Sequence, residues 1–171
     1  MPAIKTGSSR RPGGNFNTPI DSDPAYIFEI LNAEKTLSSR KGSPRVTFRF
    51  KVVGGGPMEE DGEGSMKPKF LGRSIFEDAY LTDDALWKFE AIAECSGIAK
   101  GTEIDPDDPV VLLNSFKGRR IRAAVIDDNW TNNDGVEQQR RRVTGFASLD
   151  VAQPEDAQGD DDGNEGAADP N

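Results

Sequence analysis

Residues 45–53 read RVTFRFKVV, and the alternation within them decides the fold class. Val46, Phe48, Phe50 and Val52 fall at every second position, with Arg45, Thr47, Arg49 and Lys51 between them. A period of two is the period of a strand, whose successive side chains point to opposite faces. One set therefore enters a core. The other, mostly cationic, lies on the opposite face of a sheet.

Working outward, four more segments carry strand character. AYIFEILNAEKT (25–36) precedes the decisive stretch, and KFLGRSIFED (69–78), GRRIRAAVIDD (118–128) and RRRVTGFASL (140–149) follow it. One helix is expected, over TDDALWKFEAIAECSG (82–97). Thr82 stands as its N-cap, with Asp83 and Asp84 where the helix dipole favours acids. Leu81 and Leu86 have the spacing of a hydrophobic staple. Ala85, Leu86, Phe89, Ile92 and Ala93 form one apolar stripe, and Gly97 supplies the stop. DPDDP (105–109) then breaks the chain before VVLLNSFKG.

The expected order is thus strand, strand, strand, helix, strand, strand. That is the order of an OB-fold, a mainly β, five-stranded Greek-key barrel with one helix between strands 3 and 4. Other five-stranded barrels and α+β sheets share the order. In an OB-fold, strands 2–3 and the loops after strands 1 and 4 bind oligonucleotides or sugars.

The chain has 171 residues, enough for one domain with a real core. The expected division is a flexible N-terminal arm (1–23), an OB-fold domain (24–150) with a flexible Gly- and Glu-rich insertion at 54–68, and a disordered acidic tail (151–171). These outer segments lack the apolar side chains that offset ordering entropy. The formal charge is −9, yet seven of the 30 acids lie in the tail, leaving 23 against 21 bases in the body. An acidic total therefore leaves a nucleic-acid partner open, because a patch matters more than a sum. One cysteine, Cys95, precludes an intrachain disulfide and fits a reducing compartment. No stretch approaches the roughly 18 apolar residues of a membrane helix, and MPAIKTGSSRRPGGNF has no apolar run of a secretory signal. A cytoplasmic location is expected, with no membrane partner.

Catalytic signals are few. The chain has no histidine, which removes the commonest general base and the usual nucleophile pairs. Cys95 reads as a small core residue on the helix. The GGG at 54–56 has no Gly-Lys-Ser/Thr behind it, so it is a connector rather than a phosphate loop. DDNWTNNDG (127–135) lacks the acid spacing of a calcium loop and reads as a hairpin loop. No catalytic residue, metal site or cofactor is expected, and the protein reads as a binder rather than an enzyme.

Basic and aromatic residues carry the functional expectation. LSSRKGSPR (37–45) places Arg40, Lys41 and Arg45 in the loop after the first strand, and Arg49 and Lys51 continue on the face of Arg45. Residues two apart on a strand are about 6.6 Å apart, near the phosphate repeat of an extended single strand. Arg73 on the third strand and Arg120 and Arg122 on the fourth extend the set, and Arg140, Arg141 and Arg142 open the fifth. Each taken singly is equally an ordinary surface residue. Trp130, flanked by Asn129 and Thr131, either folds back as a lid or stacks on an unpaired base. The faces of Phe76 and Phe146 stay open.

The runs AYIFEILNAEKTLSSRKGSPRVTFRFKVV, FLGRSIFEDAYLTDDALWKFEAIAECSGI and FKGRRIRAAVIDDNW resemble a group of tailed-bacteriophage proteins, partly catalogued as a domain of unknown function and regarded as OB-fold single-stranded-DNA-binding proteins. The shared features are a Ser/Lys-Gly-x-Pro loop, an ALWK helix after Thr-Asp, and a GRRIRAAV strand, over about 25–150. The resemblance implies single-stranded DNA as partner, a role on replication or recombination intermediates in the host cytoplasm, and a groove lined by Arg40, Lys41, Arg45, Arg49 and Lys51. The acidic tail is similar to those of bacterial and phage single-strand binders, which implies contacts with replication or recombination proteins. It ends Ala-Asp-Pro-Asn, however, without the usual apolar tip. Competition with DNA for the groove and plain solubility are both open to it. Two other functions remain: a virion structural or adaptor barrel, and a strand-annealing accessory factor.

Overall fold

The computed structural model describes residues 3–7, 25–38 and 40–149. Nine strands and two helices follow one another among them: β1 (Ile4–Lys5), β2 (Tyr26–Leu37), β3 (Pro44–Gly55), β4 (Met58–Glu60), β5 (Met66–Pro68), β6 (Ser74–Tyr80), α1 (Leu86–Cys95), β7 (Glu103–Ile104), α2 (Pro109–Phe116), β8 (Arg120–Thr131) and β9 (Glu137–Ala147). Five of the strands form one antiparallel sheet in the order β6-β3-β2-β8-β9.

The alternation in β3 is realised as read: Val46, Phe48, Phe50 and Val52 are all buried. Its neighbour β2 buries Phe28, Ile30 and Ala33. The break in that spacing coincides with a register shift between Ile30 and Asn32, where β2 advances two residues against one of β3. A bulge moves the following side chains to the other face, and so β2 reads less cleanly in the sequence than β3.

Both helices close the core through one phenylalanine each. Phe89 of α1 lies 6.2 Å from Phe48, and Phe116 of α2 meets Phe48 edge-on at 5.0 Å and Phe89 at 5.4 Å. Further along the same face of β3, Phe28 and Phe146 flank Phe50 at 5.6 and 6.4 Å. Each fully buried ring is worth roughly 1.5–3 kcal/mol of transfer free energy, so this aromatic cluster dominates the core.

The helices differ from the sequence expectation in number and limits. Two are present rather than one. The second begins within DPDDP, which starts a helix as well as breaking the chain: Asp108 accepts from the Val110 and Val111 amides at 3.1 and 3.2 Å, and Pro109 opens the first turn. An Asp cap followed by proline is a start signal as much as a stop. Helix α1 is shorter than expected, and Thr82 does not cap it. The Thr82 hydroxyl donates to Asp84 Oδ1 at 2.8 Å, and residues 82–85 form a separate turn that delivers the chain to Leu86. The stop is as read. Gly97, at φ +94°, lets its own amide bond Glu94 O and the Ile98 amide bond Ala93 O, the paired closure of a glycine-terminated helix.

The expected closed barrel is replaced by a sheet with two edges. β6 and β9 lie alongside one another but are not hydrogen-bonded neighbours. Side chains join this seam. Glu77 of β6, only 5% exposed, accepts from Lys88 Nζ of α1 at 3.0 Å and Arg142 Nε of β9 at 3.1 Å, both on Oε1. An inward carboxylate with two cations takes the place of ladder bonds at this point.

Two short pairings complete the fold. β1 pairs with β7, burying Ile4, while the Thr6 hydroxyl donates to Ala99 O at 2.9 Å. Residues 4–7 of the expected arm are therefore strand and turn; 8–24 and the tail from 150 lie outside the described residues. Within the 54–68 insertion, β4 and β5 form a hairpin whose turn is held by Asp61 Oδ1, which accepts from the Glu63 and Ser65 amides. The glycines before it have a steric reason: a Cβ on Gly55 (φ +67°) would stand 2.4 Å from Ala25 O, and one on Gly56 2.6 Å from the Tyr26 ring.

Candidate nucleic-acid interface

Strand pairing fixes which side chains share the outer face of the sheet. Across one row lie Ser74, Lys51, Glu29 and Arg120; across the next, Phe76, Arg49 and Asn32; then Asp78, Thr47 and Glu34; then Tyr80, Arg45 and Thr36. Arg122 stands opposite Ile27 on the same face. Five of the expected site residues, Arg45, Arg49, Lys51, Arg120 and Arg122, are thus brought together. Three carboxylates, Glu29, Glu34 and Asp78, are interleaved with them, and this the sequence pattern did not reveal.

These acids divide the cations. The Arg45 guanidinium donates to Thr36 Oγ1 at 3.0 Å and to Asp78 Oδ2 at 3.1 Å, and the Thr47 hydroxyl donates to Asp78 Oδ1 at 2.7 Å. Arg45 is tied into a cross-strand network. Arg120 Nε lies 3.7 Å from Glu29. Arg49 differs: its guanidinium carbon sits 5.8 Å from the centroid of Phe76, a ring that is 60% exposed. Cation and ring face solvent together.

Arg40 and Lys41 are exposed in the loop that leads into β3, on which Arg45 and Lys51 stand six residues, about 20 Å, apart. Arg73 lies beyond the other end of that row, before β6. There a second basic and aromatic cluster forms, with Lys69 Nζ 5.5 Å and the Arg73 guanidinium 6.0 Å from the Phe70 centroid. The signal for it is the interleaved Lys69, Phe70, Arg73 and Phe76 of KFLGRSIF, of which the sequence reading takes Arg73 as a site cation and leaves the face of Phe76 open.

Between this cluster and β8–β9 opens a cleft of about 380 Å³. Buried Phe28 and Val52 form its floor, and Ile75 and Val125 its walls. Tyr26, Phe70 and Phe76 are its aromatic lining residues, and Arg73 and Ser74 border it from the β6 side and Arg141 from β9. Arg141 Nε lies 3.5 Å from Asp127, its partner across the ribbon, and both are exposed. Of the three arginines that open the fifth strand, Arg141 thus borders the cleft and Arg142 serves the seam.

Trp130 is part of β8, opposite Gln138, rather than in a loop, and is 47% exposed. The lid reading fails because the strand continues to Thr131. Asn132 Oδ1, accepting from the Asp134 and Val136 amides, makes the turn one residue later. Trp130 lies eight residues, about 26 Å, along the strand from Arg122, well apart from the cation rows. Phe146, the other open assignment, is 4% exposed and belongs to the core.

Two groups have displaced titrations. Burial pushes the Lys88 ammonium below its usual range, against the raising effect of Glu77. The hydrogen bond from Lys35 holds the Asp107 carboxyl low. Both serve the scaffold: the first closes the seam, and the second ties β2 to the turn ahead of α2. Among the described residues no group of three or more metal-ligating side chains gathers, and no helix is long and apolar enough to cross a membrane.

No protein-family model matches the chain, and no curated protein does. Among solved structures it is similar to one described as yeast RPA bound to ssDNA, with 14% identity, 93% of this chain and 98% of that chain covered, and a TM-score of 0.33. That is too loose a similarity to define a shared fold.

Proposed function

We propose that the protein binds single-stranded DNA without strong sequence preference. Phosphates rest on the cations of the outer sheet face and bases stack on its exposed aromatics. The observation that carries the reading is the row pairing Arg49 with exposed Phe76, beside Lys51 and the Lys69–Phe70–Arg73 group. Cations that track a backbone and rings that accept any base are the two requirements of sequence-tolerant single-strand binding. Such a protein shields single strands during replication or recombination, and its acidic tail competes with DNA for the same cations.

Titration of a labelled oligo-dT tests the reading. The wild-type chain is expected to bind at low salt, and Arg49→Glu with Lys51→Glu to lose affinity equally for dT and mixed sequences. Both side chains are solvent-facing on their strand, so circular dichroism should report an unchanged fold. No binding by the wild-type chain, or full binding by the double variant, overturns the proposal.

A further inference from the structure

We infer that the cleft between β6 and the β8–β9 ribbon is a nucleotide subsite, which takes one unpaired base with its phosphate at the rim. The inference rests on the single-strand reading above and gives it an anchor point.

Three features of the cleft specify the occupant. The cleft volume of about 380 Å³ lies within the ~300–1,000 Å³ range of small-molecule sites. Its interior is apolar and aromatic, with Phe28 and Val52 beneath, Tyr26 and Phe70 lining it, and Phe76 at the β6 edge. A flat, weakly polar ring suits such a lining, since aromatic pairs gain from offset or edge contact beyond simple area burial. The rim carries positive charge from two sides, Arg73 and Arg141, and planar guanidinium groups match phosphate oxygens. An apolar slot with guanidinium groups at its mouth complements a nucleotide better than a neutral hydrophobic molecule, which makes no use of the charge that Arg73 and Arg141 bring to the rim.

Continuity with the cation rows adds a path into the site. Ser74 and Phe76 border the cleft and are also the β6 partners of Lys51 and Arg49. A strand following those cations passes the mouth directly. One base can then turn in past Phe76 at the β6 edge towards Phe70 while its neighbours remain on the sheet.

Backbone amide NMR of the full chain titrated with thymidine 5′-monophosphate tests this, beside thymidine and inorganic phosphate. Saturable shifts are expected at residues 73–76 and at Val125 with the nucleotide. Thymidine should produce them more weakly, and phosphate should leave Val125 unmoved. Ser74→Trp, which fills the cleft from an exposed position, should abolish the nucleotide shifts and lower oligo-dT affinity by about tenfold, within the span measured for one stacked base. Arg73→Ala with Arg141→Ala should weaken the nucleotide while thymidine is unaffected. The subsite is overturned if the nucleotide gives no saturable shift at these residues, or if Ser74→Trp leaves either binding unchanged. In those cases intact oligo-dT binding by the wild-type chain leaves the broader reading standing. Loss of that binding sinks both.

Discussion

Arg45 and Arg49 face the same side of β3, yet their neighbours give them different work. Arg45 donates to Thr36 and Asp78, whereas Arg49 lies over an exposed ring. Arg45→Ala should therefore reduce stability more than DNA affinity, and Arg49→Ala the reverse; urea melts and oligonucleotide titration of the two variants check the split. Phe76→Ala should cost ~1–3 kcal/mol of single-strand binding, the usual value of a base–aromatic stack, with little change in melting because the ring is mostly exposed. Gly55→Ala should destabilise the fold by about 1–3 kcal/mol, since it forces a strained positive φ and meets the Ala25 carbonyl. The repeated Arg and Lys of 45–51 were plain in the sequence. Which of them has a carboxylate opposite depends on the register with β2 and β6, and no local pattern records it.

At the scale of elements, the seam and the second helix hold the surprises. Glu77 collects Lys88 and Arg142 in a nearly buried setting, and removing one member of a buried ionic group strands the others. Glu77→Ala should cost about 3–5 kcal/mol, seen as an earlier urea midpoint. Lys88 adds a pH signature. Its folded pKa lies below its unfolded value near 10.5, so between the two the unfolded chain binds more protons and stability rises with pH. The penalty is full below the folded value and is relieved as pH climbs towards 10.5. Urea melts across the alkaline range should show this rise in the wild-type chain and a flatter profile in Lys88→Met. Helix α2 hangs on its cap, and Asp108→Ala should lose ~1 kcal/mol. Pro109 was legible, but its sense, start or stop, depended on whether Leu112 and Phe116 found a core to enter.

For the whole molecule, charge distribution is the governing quantity. The body is almost neutral and the tail strongly acidic, so binding should depend steeply on salt. With about five phosphates engaged, log K against log salt should slope near −3.5; a slope near zero means that the cation rows are not used. Deleting 151–171 should tighten oligo-dT binding at low salt if the tail competes for the same cations, with the gain fading as salt screens the attraction. Unchanged affinity leaves the tail a solubility role.

The sequence by itself determined the order of the sheet's five strands, though the third begins at Ser74 and not at 69, the glycine stop of the first helix, and the inward set Val46, Phe48, Phe50 and Val52, because alternation and turn chemistry are local properties of the backbone. Only the tertiary structure decided that the sheet stays open along β6 and β9, that Glu29, Glu34 and Asp78 punctuate the cations, and that Phe70, Phe76 and Arg141 surround one cleft. Those residues come from separate strands, and only packing of the sheet around Phe48 and Phe50 brings them within reach of each other.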